Sequence, residues 1–356
     1  MRTSFQDMLG TDLPLVQGPF GGGLSTVDLA GTVSELGGVG SYGCYHLDGS
    51  GIADIAARLA ARTRAPFALN LWVRDHDGGG ADMSEDRFES AWAVYASYFA
   101  ELGLEKPVQP PSYHTRFDDQ IDALLAARPA AFSFVFGIPR PAVLAECRRL
   151  GIVTIGAATT PAEVAALDAA DVDAILVTGF EAGGHRPSFL DRAEDSLMGT
   201  LALVRAARRM THRPIVAAGG IADGEGVCAI LAAGADAAQI GTAFLACAES
   251  GATDLHRAVL FSERASRTVL TRAYSGRLAR GIPNRVIAEF DGRRDLPPFP
   301  IHGWFLGKLK AAATERALED FQSLYAGQGA AVLAHRTARD LVASIRQSLN
   351  RKGAAT

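Results

Sequence analysis

The sequence predicts an α/β protein, a (β/α)8 TIM barrel with an insertion at the barrel mouth and a helical C-terminal cap. Eight short apolar runs alternate with helical runs between residues 13 and 241, as parallel strands joined by crossover helices do. Several of these runs end in glycine-rich turns that carry polar side chains, which is typical of the carboxyl ends of barrel strands. An open doubly wound sheet is the alternative, but the chain has no G-x-G-x-x-G motif in a βαβ unit with a later acidic residue.

The strands are predicted from short apolar runs that end at glycine, proline or a polar residue. In chain order they cover residues 13–16, 39–43, 67–73, 131–136, 153–157, 174–177, 214–218 and 237–241. The helices are predicted from apolar side chains at helical spacing, with Ser25 or Thr26 as the first N-cap and Pro161 in a first turn. The first helix ends near residue 36. The other barrel helices cover 52–64, 142–150, 161–170, 197–209 and 226–233.

The regular alternation pauses at residues 74–129, after the third strand. This stretch carries helical patterns at 84–102 and 117–127. Because it follows the carboxyl end of a strand, it predicts an insertion over the barrel mouth that serves as a lid or substrate wall.

The C-terminal part of the chain lacks the βα period. Residues 268–287 are predicted as a structured loop, and helices at 311–324 and 331–349 close the chain. The interpretation is a barrel of residues 1–250, and a C-terminal segment and helical cap of residues 251–356 that packs on it.

Composition narrows the class of protein. The 356 residues carry a net charge of -4 and a pI near 6.1, so nothing favours a nucleic acid or an anionic membrane as partner. No apolar run reaches the roughly 20 residues of a membrane-spanning helix, and the N-terminus lacks the apolar region of a signal peptide. The four cysteines lie far apart, which suits reduced thiols and not a metal site. The expectation is a cytoplasmic protein without a metal.

Ionisable side chains gather at the end of a buried strand in the stretch 173–190, DAILVTGFEAGGHRPSFL. His185 is the candidate catalytic residue, because an imidazole with an unperturbed pKa of about 6.5 accepts a proton or carries a positive charge near neutral pH. Glu181 is interpreted as an orienting partner, and Arg186 as a solvated or glutamate-paired charge. The alternative is a βα loop whose histidine caps a helix.

Two further features favour a ligand at the barrel mouth. Asn70 lies in an apolar strand, so its amide either pairs with a neighbouring loop or faces a ligand in the barrel. The seventh strand ends in AAGGIADG and the eighth in QIGTAF. Gly219, Gly220, Gly241 and Thr242 would then offer backbone N–H groups and a hydroxyl to an anion, as the corresponding loops of many barrels do. These loops predict a phosphorylated cofactor, and the alternative is two tight turns that serve geometry alone.

Several stretches resemble the nitronate monooxygenase family, formerly called 2-nitropropane dioxygenases, and its bacterial class I members in particular. They include GPFGGGLSTVDLAGTVSELGGVGSYG, PFALNLWV, FSFVFGIP, GFEAGGHRPSF, AAGGIADGEGV and AAQIGTAFLACAESGA, and later TVLTRAYSGRLARGIPNR and LYAGQGA. The similarity covers about residues 13–330. Related flavin barrels, among them enoyl-acyl-carrier reductases and NADH:quinone reductases, share the AGGH and GGIADG loops.

The resemblance implies non-covalently bound FMN, with His185 as the catalytic residue that acts as base on a nitroalkane or steadies a bound nitronate. The residues that it assigns to the cofactor are Gln17, Gly18, Pro19, Phe20, Asn70, Thr178, Gly183, Gly184, Gly219, Gly220, Gln239, Gly241 and Thr242. A substrate wall is expected from Val135, Tyr113, Trp304 and Lys308.

Three positions depart from the family pattern. Thr178 replaces a glutamine that contacts FMN, and Pro187 replaces the glycine after the His-Arg pair. Val135 stands where relatives often carry a histidine or threonine that faces the flavin. These changes are compatible with FMN but bear on the substrate and on the reaction itself.

The predicted function is FMN-dependent oxidation, with O2, of an alkyl nitronate, a nitroalkane or a similar carbanion-like small molecule. One alternative is an NAD(P)H-dependent flavin reductase of quinones or enoyl thioesters on the same scaffold. A second is an FMN-binding protein without turnover. The protein is expected to be a monomer or a homodimer.

Overall fold

The computed structural model describes residues 2–73, 83–113 and 115–353, and in it eight parallel strands form a nearly closed barrel. The barrel strands are β1 Leu15–Gln17, β2 Gly40–Gly43, β3 Phe67–Trp72, β4 Ala131–Val135, β5 Val153–Ala158, β6 Ala174–Thr178, β8 Ile215–Ala218 and β9 Ala237–Ile240. They are hydrogen-bonded in the order β1-β9-β8-β6-β5-β4-β3-β2. The predicted (β/α)8 barrel is confirmed.

The seam between β1 and β2 closes the barrel through a few specific hydrogen bonds. Val16 and Val39 form a parallel bridge, and the N–H of Val39 donates to the carbonyl of Leu15 at 2.9 Å. The side-chain oxygen of Gln17 accepts the N–H of Ser41 at 2.9 Å. Gln17 is therefore a residue of the barrel wall.

The helices surround the barrel and cover its mouth. Their bounds are α1 Ser4–Leu9, α2 Val27–Glu35, α3 Gly49–Arg62, α4 Glu85–Glu101, α5 Phe117–Ala127, α6 Pro141–Leu150, α7 Pro161–Ala169, α8 Thr200–Ala207, α9 Gly224–Ala232, α10 Thr242–Leu245, α11 Asp254–Leu260, α12 Arg285–Phe290, α13 Ile301–Glu315 and α14 Ala338–Gly353. Thr26 caps α2, because its hydroxyl oxygen accepts the N–H of Leu29. It is one of the two N-caps that the sequence predicted. No helix in the described ranges is both long and apolar enough to cross a membrane.

The segment outside the barrel is shorter than residues 74–129. Helix α5 packs as the barrel helix between β3 and β4, since Ile121 and Leu124 belong to the same buried cluster as Leu59 of α3. The amide nitrogen of Gln120 also donates to the carbonyls of Tyr45 and Leu47, at 3.0 and 2.6 Å. Residues 74–82, the first part of the predicted insertion, lie outside the described residues.

Helix α4 packs against the C-terminal segment in a second, aromatic core. Tyr95 of α4 stacks on Phe305 of α13 with ring centroids 4.5 Å apart, and Phe99 and Phe290 are fully buried beside them. Aromatic pairs of this kind add to the free energy of burial of their large surfaces. The helix over the mouth and the C-terminal segment thus share one core.

The C-terminal segment differs from the prediction in its elements. Residues 268–287 contain β10 Val269–Thr271 and β11 Ala279–Gly281, which form an antiparallel sheet with the two-residue strand β7 Gly184–His185. The helix predicted at 311–324 is α13, which begins ten residues earlier, directly after Pro300. The helix predicted at 331–349 is α14, which begins seven residues later, after Thr337, whose hydroxyl accepts the N–H of Asp340. Helix α14 packs on α2 and α9. The division of the chain at residue 250 stays a prediction.

Candidate active site

A cavity of about 1140 Å³ lies at the carboxyl ends of the barrel strands. A ligand site at this end is the general rule for barrels of this architecture. Most of the residues predicted for the site line the cavity. They are Gly18, Pro19, Phe20, Asn70, Tyr113, Val135, Thr178, Gly183, Gly184, His185, Gly219, Gly220, Gln239, Gly241, Thr242 and Trp304.

Glycine residues after β8 and β9 form one side of this cavity. Gly219 and Gly220 have φ values of 110° and 72°, in the left-handed region where a side chain costs free energy. Among the described residues, no hydrogen-bond acceptor meets the N–H groups of Gly220 and Gly241. Backbone N–H groups that are left open beside a cavity are suited to an anionic ligand.

We call this side of the cavity, with Gly219, Gly220, Gly241 and Thr242, the glycine cradle. The C-terminal segment completes it. The N–H of Gly327 donates to the hydroxyl oxygen of Thr242 at 2.9 Å, and the N–H of Gln328 donates to the carbonyl of Glu181 at 2.9 Å. A Cβ atom on Gly183 would lie only 2.5 Å from the nitrogen of Gly327. This close approach of two backbones explains the glycine at both positions.

Asn70 lies in β3 with its side chain in the cavity wall. Its amide nitrogen donates to the hydroxyl of Ser133 at 2.9 Å and to the carbonyl of Ser133 at 3.2 Å. The partner is thus the adjacent strand β4 and not a loop. These bonds hold the amide in a fixed orientation at the barrel mouth.

His185 lies at the cavity on the short strand β7. The N–H of Arg186 donates to the carbonyl of Leu278 at 2.8 Å, and β7 pairs with β11, so the backbone at His185 is fixed by the C-terminal segment. Its Nε2 atom is 2.7 Å from the hydroxyl oxygen of Ser275. The edge of the imidazole approaches the ring of Trp72 at 5.1 Å between centroids.

The surroundings of His185 keep its imidazole neutral. Burial lowers the pKa of His185, and the positive charge of Arg277 lowers it further, to about 3. The guanidinium of Arg277 lies over the rings of Phe136 and Phe299, at 3.9 and 4.8 Å from their centroids. Of the two states considered from the sequence, the imidazole is therefore in the neutral one and not in the charged one at neutral pH.

Two neighbours of His185 have other roles than the sequence suggested. Arg186 is buried, and its guanidinium donates to the backbone carbonyls of Ser196, Thr178 and Thr159. The prediction of a solvated or glutamate-paired arginine is wrong, because backbone carbonyl groups from three separate parts of the chain satisfy the charge. Glu181 accepts the N–H and the hydroxyl of Thr200, each at 3.0 Å, so it orients the start of α8.

Two predicted site residues do not line the cavity. Gln17 is fully buried in the seam described above. Lys308 is exposed on α13 with its ammonium 4.6 Å from the centre of the Trp304 ring. Two positions along a helix turn the side chain by about 200°, so Lys310 lines the cavity in place of Lys308.

Sequence reasoning missed several residues of the cavity wall. Tyr45, Ser275, Phe299, Tyr325 and Gly327 all line it or contact its residues. The stretches SGR and LYAGQGA carried a signal, because they contain three of these residues in glycine-rich turns. Their position next to His185 depends on contacts across 90 or more residues of chain.

The fold and the cavity define an α/β-barrel enzyme with its site at the carboxyl ends of the strands. The family model described as nitronate monooxygenase matches residues 2–348. Nitronate monooxygenase from Pseudomonas aeruginosa is 39% identical over 98% of this chain and 99% of its own length. That of Paraburkholderia phytofirmans is 38% identical over 96% of this chain and 93% of its own.

Solved structures agree with these comparisons. The nitroalkane oxidase of Streptomyces ansochromogenes superposes with a TM-score of 0.86 at 35% identity, over 99% of both chains. FabK from Thermotoga maritima, at 24% identity and a TM-score of 0.74 over the whole of both chains, shows the fold alone. The chain therefore belongs to the nitronate monooxygenase family and is an oxidoreductase. Members of this family are generally flavin-dependent.

Proposed function

We propose that this protein is an FMN-dependent nitronate monooxygenase that oxidises an alkyl nitronate, or the corresponding nitroalkane, with O2. The observation that carries the proposal is the meeting of the open glycine N–H groups and the neutral imidazole of His185 at one cavity. Oxidation of either substrate needs a redox cofactor, and oxidation of the neutral nitroalkane also needs a proton acceptor. The names of the relatives support the same reaction class.

The residues of the cavity fit FMN. Gly220, Gly241 and Thr242 would hold the phosphate, since their N–H groups and hydroxyl have no other acceptor among the described residues. Asn70 and Gln239 would contact the rest of the cofactor from the barrel wall. When bound, the flavin supplies the acceptor for the electrons of the substrate. The volume of about 1140 Å³ is slightly above the range of about 300–1,000 Å³ that is usual for ligand and cofactor sites, which leaves room for a small substrate.

His185 would act on the substrate as a neutral base. A general base becomes less efficient as the pKa of its conjugate acid decreases. A pKa of about 3 makes His185 a weak base for a neutral nitroalkane and does not hinder a substrate that is already an anion. This environment favours the nitronate over the nitroalkane as substrate.

Other side chains of the cavity wall would set the choice of substrate. Trp304 and Tyr113 meet edge to face at 5.4 Å, and Val135 offers an apolar surface at the end of β4. These side chains would bound the alkyl group of the substrate and exclude water from the reacting atoms. A cytoplasmic location and a monomeric or homodimeric state are part of the same proposal.

A purified sample tests the proposal in two steps. Mass spectrometry of the cofactor released by denaturation should show FMN, whereas FAD or the lack of any flavin would contradict the proposal. Oxygen consumption should then be fast with ethyl nitronate. Reduction of a quinone by NADH or NADPH, measured separately, should be slow. Rapid quinone reduction without nitronate oxidation would identify a reductase, and neither activity would identify a flavin-binding protein without turnover.

A further inference from the structure

The hydroxyl of Ser275 lies between the catalytic candidate and the C-terminal segment. Its oxygen is 2.7 Å from Nε2 of His185, and it also accepts the backbone N–H of Arg277 at 3.3 Å. Ser275 lies in the turn between β10 and β11 and lines the cavity. It is the one described residue whose side chain hydrogen-bonds to the His185 ring.

The turn that carries Ser275 is held in one conformation. The N–H of Gly276 donates to the carbonyl of Arg272 at 2.8 Å, and the Arg272 guanidinium returns a bond to the carbonyl of Gly276 at 2.7 Å. Gly276 has a φ of 90°, and a Cβ atom there would lie 2.7 Å from the nitrogen of Phe299. The backbone that carries the Ser275 side chain is therefore fixed.

A second histidine connects this turn to the helix over the mouth. Nε2 of His302 is 2.7 Å from the carbonyl of Ala273, and its Nδ1 is 2.6 Å from the hydroxyl of Tyr95 in α4. A carbonyl only accepts hydrogen bonds, so the ring proton of neutral His302 is on Nε2, and Nδ1 accepts the Tyr95 hydroxyl. All the hydrogen-bonding groups of this buried imidazole are satisfied.

The hydrogen-bond partner of His302 determines which ring nitrogen carries the proton, whereas the partner of His185 does not. A neutral imidazole has one N–H, and at His185 the hydroxyl of Ser275 is able either to accept that proton from Nε2 or to donate its own. Nδ1 has no hydrogen-bond partner among the described residues, so it is the nitrogen left for the substrate. A proton acceptor needs its lone pair on the nitrogen that meets the substrate.

We propose that Ser275 is a positioning residue that holds the ring proton of His185 on Nε2 and leaves the lone pair of Nδ1 to the substrate. The hydroxyl oxygen of Ser275 then accepts two N–H groups, those of His185 and Arg277, and its own hydrogen faces the cavity. The proposal rests on the proposed function in one respect, the role of His185 as proton acceptor. The proposal assigns the tautomer of His185 in which that role is possible.

The tautomer is measurable without any turnover. We would label the histidine rings of the FMN-loaded protein with ¹⁵N and record their NMR signals at pH 7, with His185→Asn to assign the His185 signals. The expected wild-type spectrum shows a protonated Nε2 and an unprotonated Nδ1 for His185. In Ser275→Ala the protonation pattern of this one ring should change. A wild-type proton on Nδ1, or an unchanged pattern in Ser275→Ala, would overturn the proposal.

Kinetics give an independent test that separates positioning from general loss of structure. Ser275→Ala should lower kcat/KM for a neutral nitroalkane about 10- to 100-fold, with a smaller loss on the preformed nitronate, because the displaced ring is a poorer base. It should also shift the acid limb of the pH profile, and Ser275→Thr should restore that limb. Ser266→Ala, an exposed serine in the same segment, controls for the loss of a hydroxyl. Equal losses on both substrates with an unchanged profile would contradict the positioning role.

Failure of this proposal differs from failure of the proposed function. If wild-type protein oxidises ethyl nitronate but holds His185 as the Nδ1–H tautomer, only the role of Ser275 is refuted. If the tautomer is as expected but no nitronate is oxidised, the geometry stands and the proposed reaction is refuted.

Discussion

The backbone N–H of Gly327 donates a 2.9 Å hydrogen bond to the hydroxyl of Thr242. This contact joins the C-terminal segment to the loop after β9, where the glycine cradle lies. The side that would face a phosphate is thus built from two parts of the chain that are 85 residues apart. Cofactor retention should therefore depend on the C-terminal segment as well as on the barrel.

Replacement of Thr242 tests this dependence. Thr242→Val keeps the size of the side chain but leaves the N–H of Gly327 without an acceptor, at a cost of about 1–3 kcal/mol. We expect FMN affinity to fall by about 10-fold or more, and Thr242→Ser to stay near wild type. Fluorescence titration of the apoprotein with FMN measures both. Wild-type affinity in Thr242→Val would show that the contact does not support the site.

Gly220 is expected to be essential for the cofactor. In Gly220→Leu the side chain would enter the cavity at the glycine cradle, so the purified variant should be colourless. The matched control is Gly10→Leu, because Gly10 has a φ of 68°, close to the 72° of Gly220, and is exposed far from the cavity. Both variants carry the left-handed backbone strain, about 1–2 kcal/mol. Absorbance at the flavin bands should be lost in the first variant alone; equal loss would indicate strain as the cause.

The burial of His302 makes the free energy of unfolding of the protein depend on pH. Burial lowers the pKa of His302 to about 4, whereas an unfolded histidine has a pKa of about 6.5. Between these values the unfolded state binds the proton and the native state does not, so the stability is complete above pH 6.5 and falls as the pH decreases towards 4. The contribution from one such histidine between pH 7.5 and 5 is about 2 kcal/mol.

Denaturant unfolding at these two pH values checks this prediction. His302→Gln should be less stable at pH 7.5, since it disturbs the contacts with Tyr95 and Ala273. Its further loss between pH 7.5 and 5 should be about 2 kcal/mol smaller than in the wild type. His212→Gln, at an exposed site, should keep the wild-type dependence. A wild-type pH dependence in His302→Gln would refute the assignment.

Replacement of His185 separates catalysis from cofactor binding. His185→Asn should keep its FMN, because Gly220, Gly241 and Thr242, which would hold the phosphate, lie on other loops. Loss of a general base costs about 10²- to 10⁴-fold, and since a pKa of about 3 makes His185 a weak base, activity on the neutral nitroalkane should fall by about 10²-fold, the lower end of this range. The loss on the preformed nitronate should be smaller, since its proton is already gone. Near wild-type rates on both substrates would mean that His185 is structural.

The barrel was predictable because its signals are local. Each strand is a short apolar run with a breaker at its end, and all eight predicted strands end within one residue of the observed carboxyl ends, as at Thr178 and Ile240. The cavity position of the glycine pairs followed from the same order of strands, since the loops after neighbouring strands meet at one end of a barrel.

The features that escaped prediction depend on distant contacts. Strand β7 has two residues, and its partner β11 lies nearly 100 residues later, so no periodicity marks it. The burial of Arg186 depends on the carbonyl groups of Thr159, of Thr178 at the end of β6, and of Ser196. Whether Lys308 or Lys310 faces the cavity depends on the rotation of α13, which packing against α4 determines.

The most direct test of the account is anaerobic reduction of the bound flavin in a stopped-flow spectrometer. The wild-type protein is mixed with ethyl nitronate, and in a separate run with NADH, while the oxidised flavin absorbance is followed. The account predicts fast loss of this absorbance with the nitronate and little change with NADH over the same time. Fast reduction by NADH and none by the nitronate would contradict it.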